Sequence, residues 1–422
     1  MWLQYATRII MHIDTPTTPA SLQGSSTSVR QWLAVVAVAV SAFAFVTAEF
    51  LPVGLLPQIA QDLGVKPGVA GLMVTTPGVM AAIFAPTLIV SAGRMDRRYV
   101  FLLLTAVLLI SNIVCAVATS FPAVLIGRAL LGAALGGFWT LATAAAPRLV
   151  QTKDAAKATA TILTGVTCAT VIGVPLGTFI ASFASWRLSF AATAGLVALA
   201  LIAQALLVPS MPSASALRIA DFRTLLRRPH TRLSLLMVAL VFGAHFSTYT
   251  YIAPLLEQDF SLRSITLLLF GFGLVGFFSN ALMSMAVSNH LKKSVAVMVL
   301  LLLGAMSSML LLEHSIIGET AGMLLWGIAF GALPLCFSVW IQRGTADLAE
   351  AGSAMFVSII QVAIAVGSAV GGTLVDRAGV HADFTLGLGL ALLGLVTLQR
   401  LAAMERPTMK SSLSGNCDPS MD

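Results

Sequence analysis

The sequence predicts an all-α membrane protein with twelve transmembrane helices arranged as two pseudo-symmetric six-helix bundles. Three observations lead there. Hydrophobic residues form 58% of the 422-residue chain and charged residues only 10%, against about 25% charged in ordinary soluble proteins. The apolar residues fall in runs long enough to cross a bilayer, which takes roughly 20 residues per helix. Features of the first half recur in the second at an offset of 195 residues.

The apolar runs place spans at 32–56, 70–91, 100–118, 122–146, 158–181, 188–209, 233–255, 265–287, 294–312, 318–341, 353–375 and 383–400. Short loops between several of them require antiparallel neighbours. Residues 1–31 carry Arg8, Asp14 and Arg30 and no apolar core ahead of a small-residue cleavage site, so they read as a cytosolic tail rather than a signal peptide. The expected bundles are 32–209 and 233–402. A basic linker, 210–232, lies between them and a second tail, 403–422, follows.

Basic residues orient the spans, because lysine and arginine collect in cytoplasmic loops. Nineteen of the 24 lie in the tails and in the loops after the even-numbered spans. Lys66, Arg187, Arg263 and Arg377 occupy the opposite loops, and Arg128 lies inside a span. Both termini are therefore expected in the cytosol. The net charge of +7 is explained as a topology signal, and no nucleic-acid partner is implied.

The repeat is carried by residues that shape helix contacts and loops. Gly127, Gly132 and Gly136 fall on Gly322, Gly327 and Gly331, Arg97–Arg98 on Lys292–Lys293, and Arg148 on Arg343. Ile172 to Thr178 matches Val366 to Thr373 one residue out of register. Two repeated halves with an even number of spans is the construction of one class of secondary transporter.

Several stretches resemble the major facilitator superfamily, specifically its twelve-span drug:proton antiporters. They are Thr47-Ala-Glu-Phe-Leu-Pro-Val-Gly-Leu-Leu-Pro57, Asp96-Arg-Arg-Tyr-Val100, Ile126 to Trp139 with its glycines, Gly173-Val-Pro-Leu-Gly177, Trp186-Arg187 and Thr250-Tyr-Ile-Ala-Pro254. The pattern is similar to purine ribonucleoside efflux pumps, with sugar and arabinose exporters beside them. The resemblance implies the major facilitator fold, alternating access and a location in a bacterial inner membrane. It assigns gating to the loop holding Arg94, Asp96, Arg97 and Arg98, and sealing of the central cavity to Gly173, Pro175 and Gly177. The superfamily opens that loop with glycine and places an aspartate before the first arginine. Ile89 and Gly93 stand there instead, which leaves Asp96 as the available carboxylate.

Ionisable residues at membrane depth cost about 2.5–3.5 kcal/mol on insertion scales, so each needs a reason. Glu49 lies roughly 27 Å along span 1 and Arg128 roughly 9 Å down span 4, at 1.5 Å per residue. They are depth-matched, and Arg128 is expected to hold Glu49 ionised in a proton-coupling pair. His245 falls near the middle of span 7, where a side chain that titrates near neutrality can meet a solute. With Tyr249, Trp139, Asn280, Trp326 and Gln361 it forms the expected substrate set, since nucleosides and sugars need amide and hydroxyl partners and flat rings. No phosphate-cradling glycine loop, hydrolase triad or metal-ligand spacing occurs, so neither enzyme activity nor a cofactor is expected. The expectation is a monomeric, proton-coupled exporter of a small polar solute, first a purine nucleoside, then a sugar or drug, with an uncoupled facilitator or importer as the alternative.

Overall fold

The computed structural model describes residues 27–92, 95–151, 154–212 and 219–414. The expected N-terminal tail up to residue 26 and Arg94 lie outside them. Among the described residues, twelve helices are long and apolar enough to span a bilayer. They are α1 (Val29–Asp62), α2 (Pro67–Ala85), α3 (Arg97–Val117), α4 (Phe121–Trp139), α5 (Lys157–Ala181), α6 (Trp186–Leu207), α7 (Pro229–Thr250), α8 (Leu262–Val287), α9 (Asn289–Leu311), α10 (Ile316–Gly344), α11 (Ala351–Ala378) and α12 (Val380–Met404). No strand occurs among the described residues.

Local chemistry explains where the helices start and stop. Ser28 caps α1 in a reciprocal box with Gln31: each accepts from the other's backbone N–H, at 3.3 and 2.8 Å, which satisfies donors a helix start leaves free. Prolines open α2, α4 and α7 at Pro67, Pro122 and Pro229, where their missing N–H costs nothing. Gly64 (φ +63°) and Gly379 (φ +87°) make the left-handed turns after α1 and α11.

Four boundaries differ from expectation. α1 runs to Asp62, six residues beyond 56, because Pro52 and Pro57 are carried inside it. α8 and α9 form one run from Leu262 to Leu311, broken only at His290. The expected linker contains a helix, Ile219–Arg227, and the following helix opens at Pro229 rather than 233. The last helix runs to Ser414, inside the expected tail.

Each half repeats one packing plan. α1 lies against α5 and α6, as α7 lies against α11 and α12. α2 packs on α4, as α8 packs on α10. The repeated glycines make these approaches. A Cβ on Gly132 would lie 2.3 Å from the Pro77 carbonyl, and one on Gly136 2.7 Å from that of Ala81. A Cβ on Gly327 would lie 2.4 Å from the Phe272 carbonyl, and one on Gly331 2.3 Å from that of Gly276. Small residues allow such contact where lipid supplies no hydrophobic drive between helices.

The halves meet along α2–α11 and α5–α8. Hydrogen bonds between them lie in the part of the spans opposite the termini, termed here the distal end. Gly68 N–H donates to Asp376 at 2.8 Å, Thr75 and Ser368 share a 2.7 Å bond, and Thr266 donates to Thr178 at 3.0 Å. The Tyr251 hydroxyl reaches the carbonyls of Ser368 (2.7 Å) and Gly68 (3.3 Å). This end is closed.

Candidate functional site

Two prolines create the need that Arg128 fills. Pro52 has no N–H for the carbonyl of Ala48, four residues earlier, and Pro77 has none for Met73. Arg128, 1% exposed, donates through Nη1 to Ala48 O (2.6 Å) and through Nε to Met73 O (2.6 Å). Nη2 donates to Glu49 O (2.7 Å). One guanidinium thus joins α1, α2 and α4.

The expected ion pair with Glu49 is absent in this arrangement. Arg128 meets the backbone carbonyl of Glu49, and its fork is filled by three carbonyls. The Glu49 carboxylate turns across the seam instead and accepts from Gln361 Nε2 of α11 at 3.3 Å. Glu49 is 4% and Gln361 5% exposed. The Gln361 Oε1 has no hydrogen-bond partner among the described residues.

Three of the expected substrate residues come together in the second half. Trp326 Nε1 donates to His245 Nδ1 at 3.0 Å, which leaves the imidazole hydrogen on Nε2. The His245 ring is sandwiched between Phe330 (centroids 3.3 Å apart) and Tyr249 (4.8 Å). Phe246, next along α7, stacks on Phe50 of α1 at 5.5 Å, so the aromatic cluster reaches the seam. Trp326→Phe keeps a ring but removes the donor. It is expected to destabilise the protein by about 1–3 kcal/mol, the cost of an unsatisfied buried acceptor, read as a lower thermal midpoint of the purified protein.

Other expected residues stand apart. Trp139 is half-buried against Phe138, with centroids 5.9 Å apart. Asn280 is half-buried on α8. Asp96 caps α3: it accepts from Arg98 N–H (2.9 Å), Met211 N–H (2.7 Å) and the Ser210 hydroxyl. These donors, Ser210 foremost, hold its carboxyl below the usual range. Arg97 N–H donates to Met211 O (3.0 Å) and Arg98 to Ala205 O (2.7 Å). The loop is thereby tied to the end of α6 within its own half.

Gly173 ends a π turn, Ala169–Gly173, and Pro175 starts the next α segment. A Cβ on Gly173 would meet the Thr47 hydroxyl at 2.2 Å, and one on Gly177 the Leu51 side chain at 2.0 Å, so both press α5 onto α1. Sequence reading missed Phe330, which stands one turn beyond Trp326, and Asp383, which sits at the expected edge of a span. Among the described residues no group of three or more His, Cys, Asp or Glu side chains is arranged to hold a metal ion.

A profile of the Major Facilitator Superfamily matches residues 38–358. The chain is 35% identical over 366 residues to the purine ribonucleoside efflux pump NepI of Salmonella paratyphi B, covering 86% of this chain and 92% of the relative. It is 34% identical over 364 residues to the NepI of Salmonella typhimurium strain LT2, with the same coverage. The fold is similar to the crystal structures of the nucleoside transporter NupG (TM-score 0.69, 16% identity, 88% of this chain and 98% of that one) and the human organic anion transporter MFSD10 (0.64, 21%, 87% and 99%). Twelve spans in two packed copies and a profile match over most of the chain make this protein a member of the Major Facilitator Superfamily, a multi-pass membrane transporter.

Proposed function

We propose that this chain exports purine nucleosides in exchange for protons across a bacterial inner membrane, with both termini in the cytosol. The observation that carries the reading is the 34–35% identity to purine ribonucleoside efflux pumps over 86% of the chain. Glu49 supports the coupling. It is a buried carboxylate at the seam, hydrogen-bonded to the other half, while the neighbouring Arg128 binds its backbone carbonyl. A charge buried there is unfavourable when the nearby Arg128 guanidinium is bound to backbone carbonyls and makes no hydrogen bond to it, so proton binding favours the closed seam and proton release favours its opening. His245, Tyr249 and Trp326 place rings and a polar edge beside that seam, which a base would meet once the buried cluster opens. With the distal end outward, its closure fits the inward-facing state of an alternating-access cycle.

The test uses everted vesicles energised to an acid interior. Inosine or guanosine is expected to release internal protons, and Glu49→Gln to abolish the release while nucleoside exchange persists. If labelled nucleoside equilibrates without proton movement, an uncoupled facilitator replaces this reading.

A further inference from the structure

Asp383 plays no part in the reading above. It is the fourth residue of α12 and is 0% exposed. Neither carboxylate oxygen has a hydrogen-bond partner among the described residues. It lies where α7, α11 and α12 meet: a Cβ on Gly371 would be 2.7 Å from Asp383 Oδ1 and 3.0 Å from Ser247 O. The Ser247 hydroxyl donates to the Ala244 carbonyl at 3.1 Å and stands beside the Asp383 carboxylate, a hydroxyl near enough to turn to it.

The first half shows what the same position holds. At an offset of 194 residues, Gly177 falls on Gly371, Ser189 on Asp383 and Phe190 on Phe384. Both phenylalanines are fully buried, at 1% and 0% exposure. Ser189 is equally buried, and its hydroxyl donates to Gly177 O at 2.7 Å. The α5–α6 junction is thus closed by an O–H donor facing a glycine carbonyl. At the α11–α12 junction Asp383 stands in the serine's place, and it has an O–H to offer only when protonated, because an ionised carboxylate is acceptor-only.

The titratable groups on the neighbouring elements leave it unpartnered. Tyr251, at the end of α7, is within electrostatic reach of Asp383 and Asp376, but its hydroxyl is committed to the Ser368 and Gly68 carbonyls of the seal. Asp376 of α11 accepts from Gly68 N–H. His381 of α12 pairs with Glu313 at 2.5 Å. Glu319 of α10 accepts from His314 N–H at 3.1 Å, and His314 pairs with Asp259 at 2.9 Å.

We propose that Asp383 is a proton-binding site separate from Glu49, occupied while the distal end is closed and emptied when α7 and α11 part from α12 and water reaches the carboxylate. Its occupancy sets how readily that end opens. This goes beyond the export reaction and holds equally for an uncoupled carrier.

The test uses the full chain in nanodiscs and two readouts that require no transport. Infrared difference spectra on raising the pH are expected to show loss of a protonated-carboxyl carbonyl stretch. One component of that signal should persist in Glu49→Gln and vanish in Asp383→Asn and in Asp383→Ser, which restores the first-half residue should the amide fold poorly. Spin labels at Lys66→Cys and Arg377→Cys, flanking the seal, are expected to separate in more molecules at alkaline pH, and to remain close in Asp383→Asn. A carboxyl signal unchanged in both Asp383 variants would overturn the proposal. So would a label distance indifferent to pH, or sodium raising the thermal midpoint of the unsubstituted protein but not of Asp383→Asn, which would make the site a metal-cation site. A failed vesicle assay for nucleoside export would leave both readouts standing.

Discussion

Arg128→Ala is expected to abolish transport and to lower the stability of the purified protein by several kcal/mol. The reason lies in the backbone. Pro52 and Pro77 strip the Ala48 and Met73 carbonyls of their helical donors, and Arg128 replaces both while also holding Glu49 O. Removing the side chain orphans two buried acceptors, each costing about 1–3 kcal/mol, takes a second donor from Glu49 O, and leaves a void among α1, α2 and α4. Arg128→Lys is the informative companion. An ammonium is a compact donor that lacks the planar fork, so it cannot span carbonyls on two helices. It is expected to fold and yet lose about tenfold or more in rate, equivalent to about 1.4 kcal/mol. Solute flux in vesicles and thermal midpoints in detergent check both. Normal flux in Arg128→Ala would show that the two helices tolerate their proline gaps unaided.

Gly68→Val is expected to hold the distal end open and to stop turnover. Gly68 sits at the seal, where any Cβ would lie 2.0 Å from the Gly372 carbonyl and 2.5 Å from the Asp376 carboxyl carbon. The first of these is backbone, which no rotamer change can clear. Gly71 is a neighbouring case, since its Cβ would meet the Tyr251 hydroxyl at 1.8 Å. Overpacking costs typically about 1–3 kcal/mol, and here the cost falls only on the closed arrangement. The balance of states therefore shifts by about ten- to a hundredfold. A cysteine at Ala365, on a background lacking the native cysteines, reports this through its labelling by an impermeant thiol reagent from the distal side. Faster labelling with lost flux is expected, and unchanged labelling with full flux would contradict the steric account.

Most of the fold was legible because the bilayer imposes a crude rule: long apolar runs and biased loops. The twelve spans and the repeat follow from that. The end of α1 did not: the expected span stops at 56, ahead of Pro57, whereas the helix carries that proline and runs on to Asp62. The site was legible residue by residue and opaque in its pairings. Glu49 and Arg128 announce themselves as costly, yet which partner each takes depends on residues far away in sequence: Gln361 lies 312 positions from Glu49. Asp383 was hidden for the opposite reason. A charged residue at the first position of an apolar run marks a boundary in a hydropathy reading, whereas in space it is enclosed.

The π turn of α5 has a consequence for the cycle itself. The copies align at an offset of 195 residues through Arg148 and Arg343, and at 194 from Gly173 and Gly367 onward. One residue has been gained between those points in the first half, the stretch that holds the wide turn Ala169–Gly173, and such turns sit as single bulges inside otherwise regular helices. That bulge lies on the seam: a Cβ on Gly273 of α8 would meet the Thr170 carbonyl at 2.6 Å. Two strict copies related by an axis along the membrane normal would make the two lines of contact, α2–α11 and α5–α8, alike. Here one copy bears a kink that the other lacks, at the surface where they roll. The seam is thus lopsided: its α5–α8 side rolls over the widened turn, and its α2–α11 side does not.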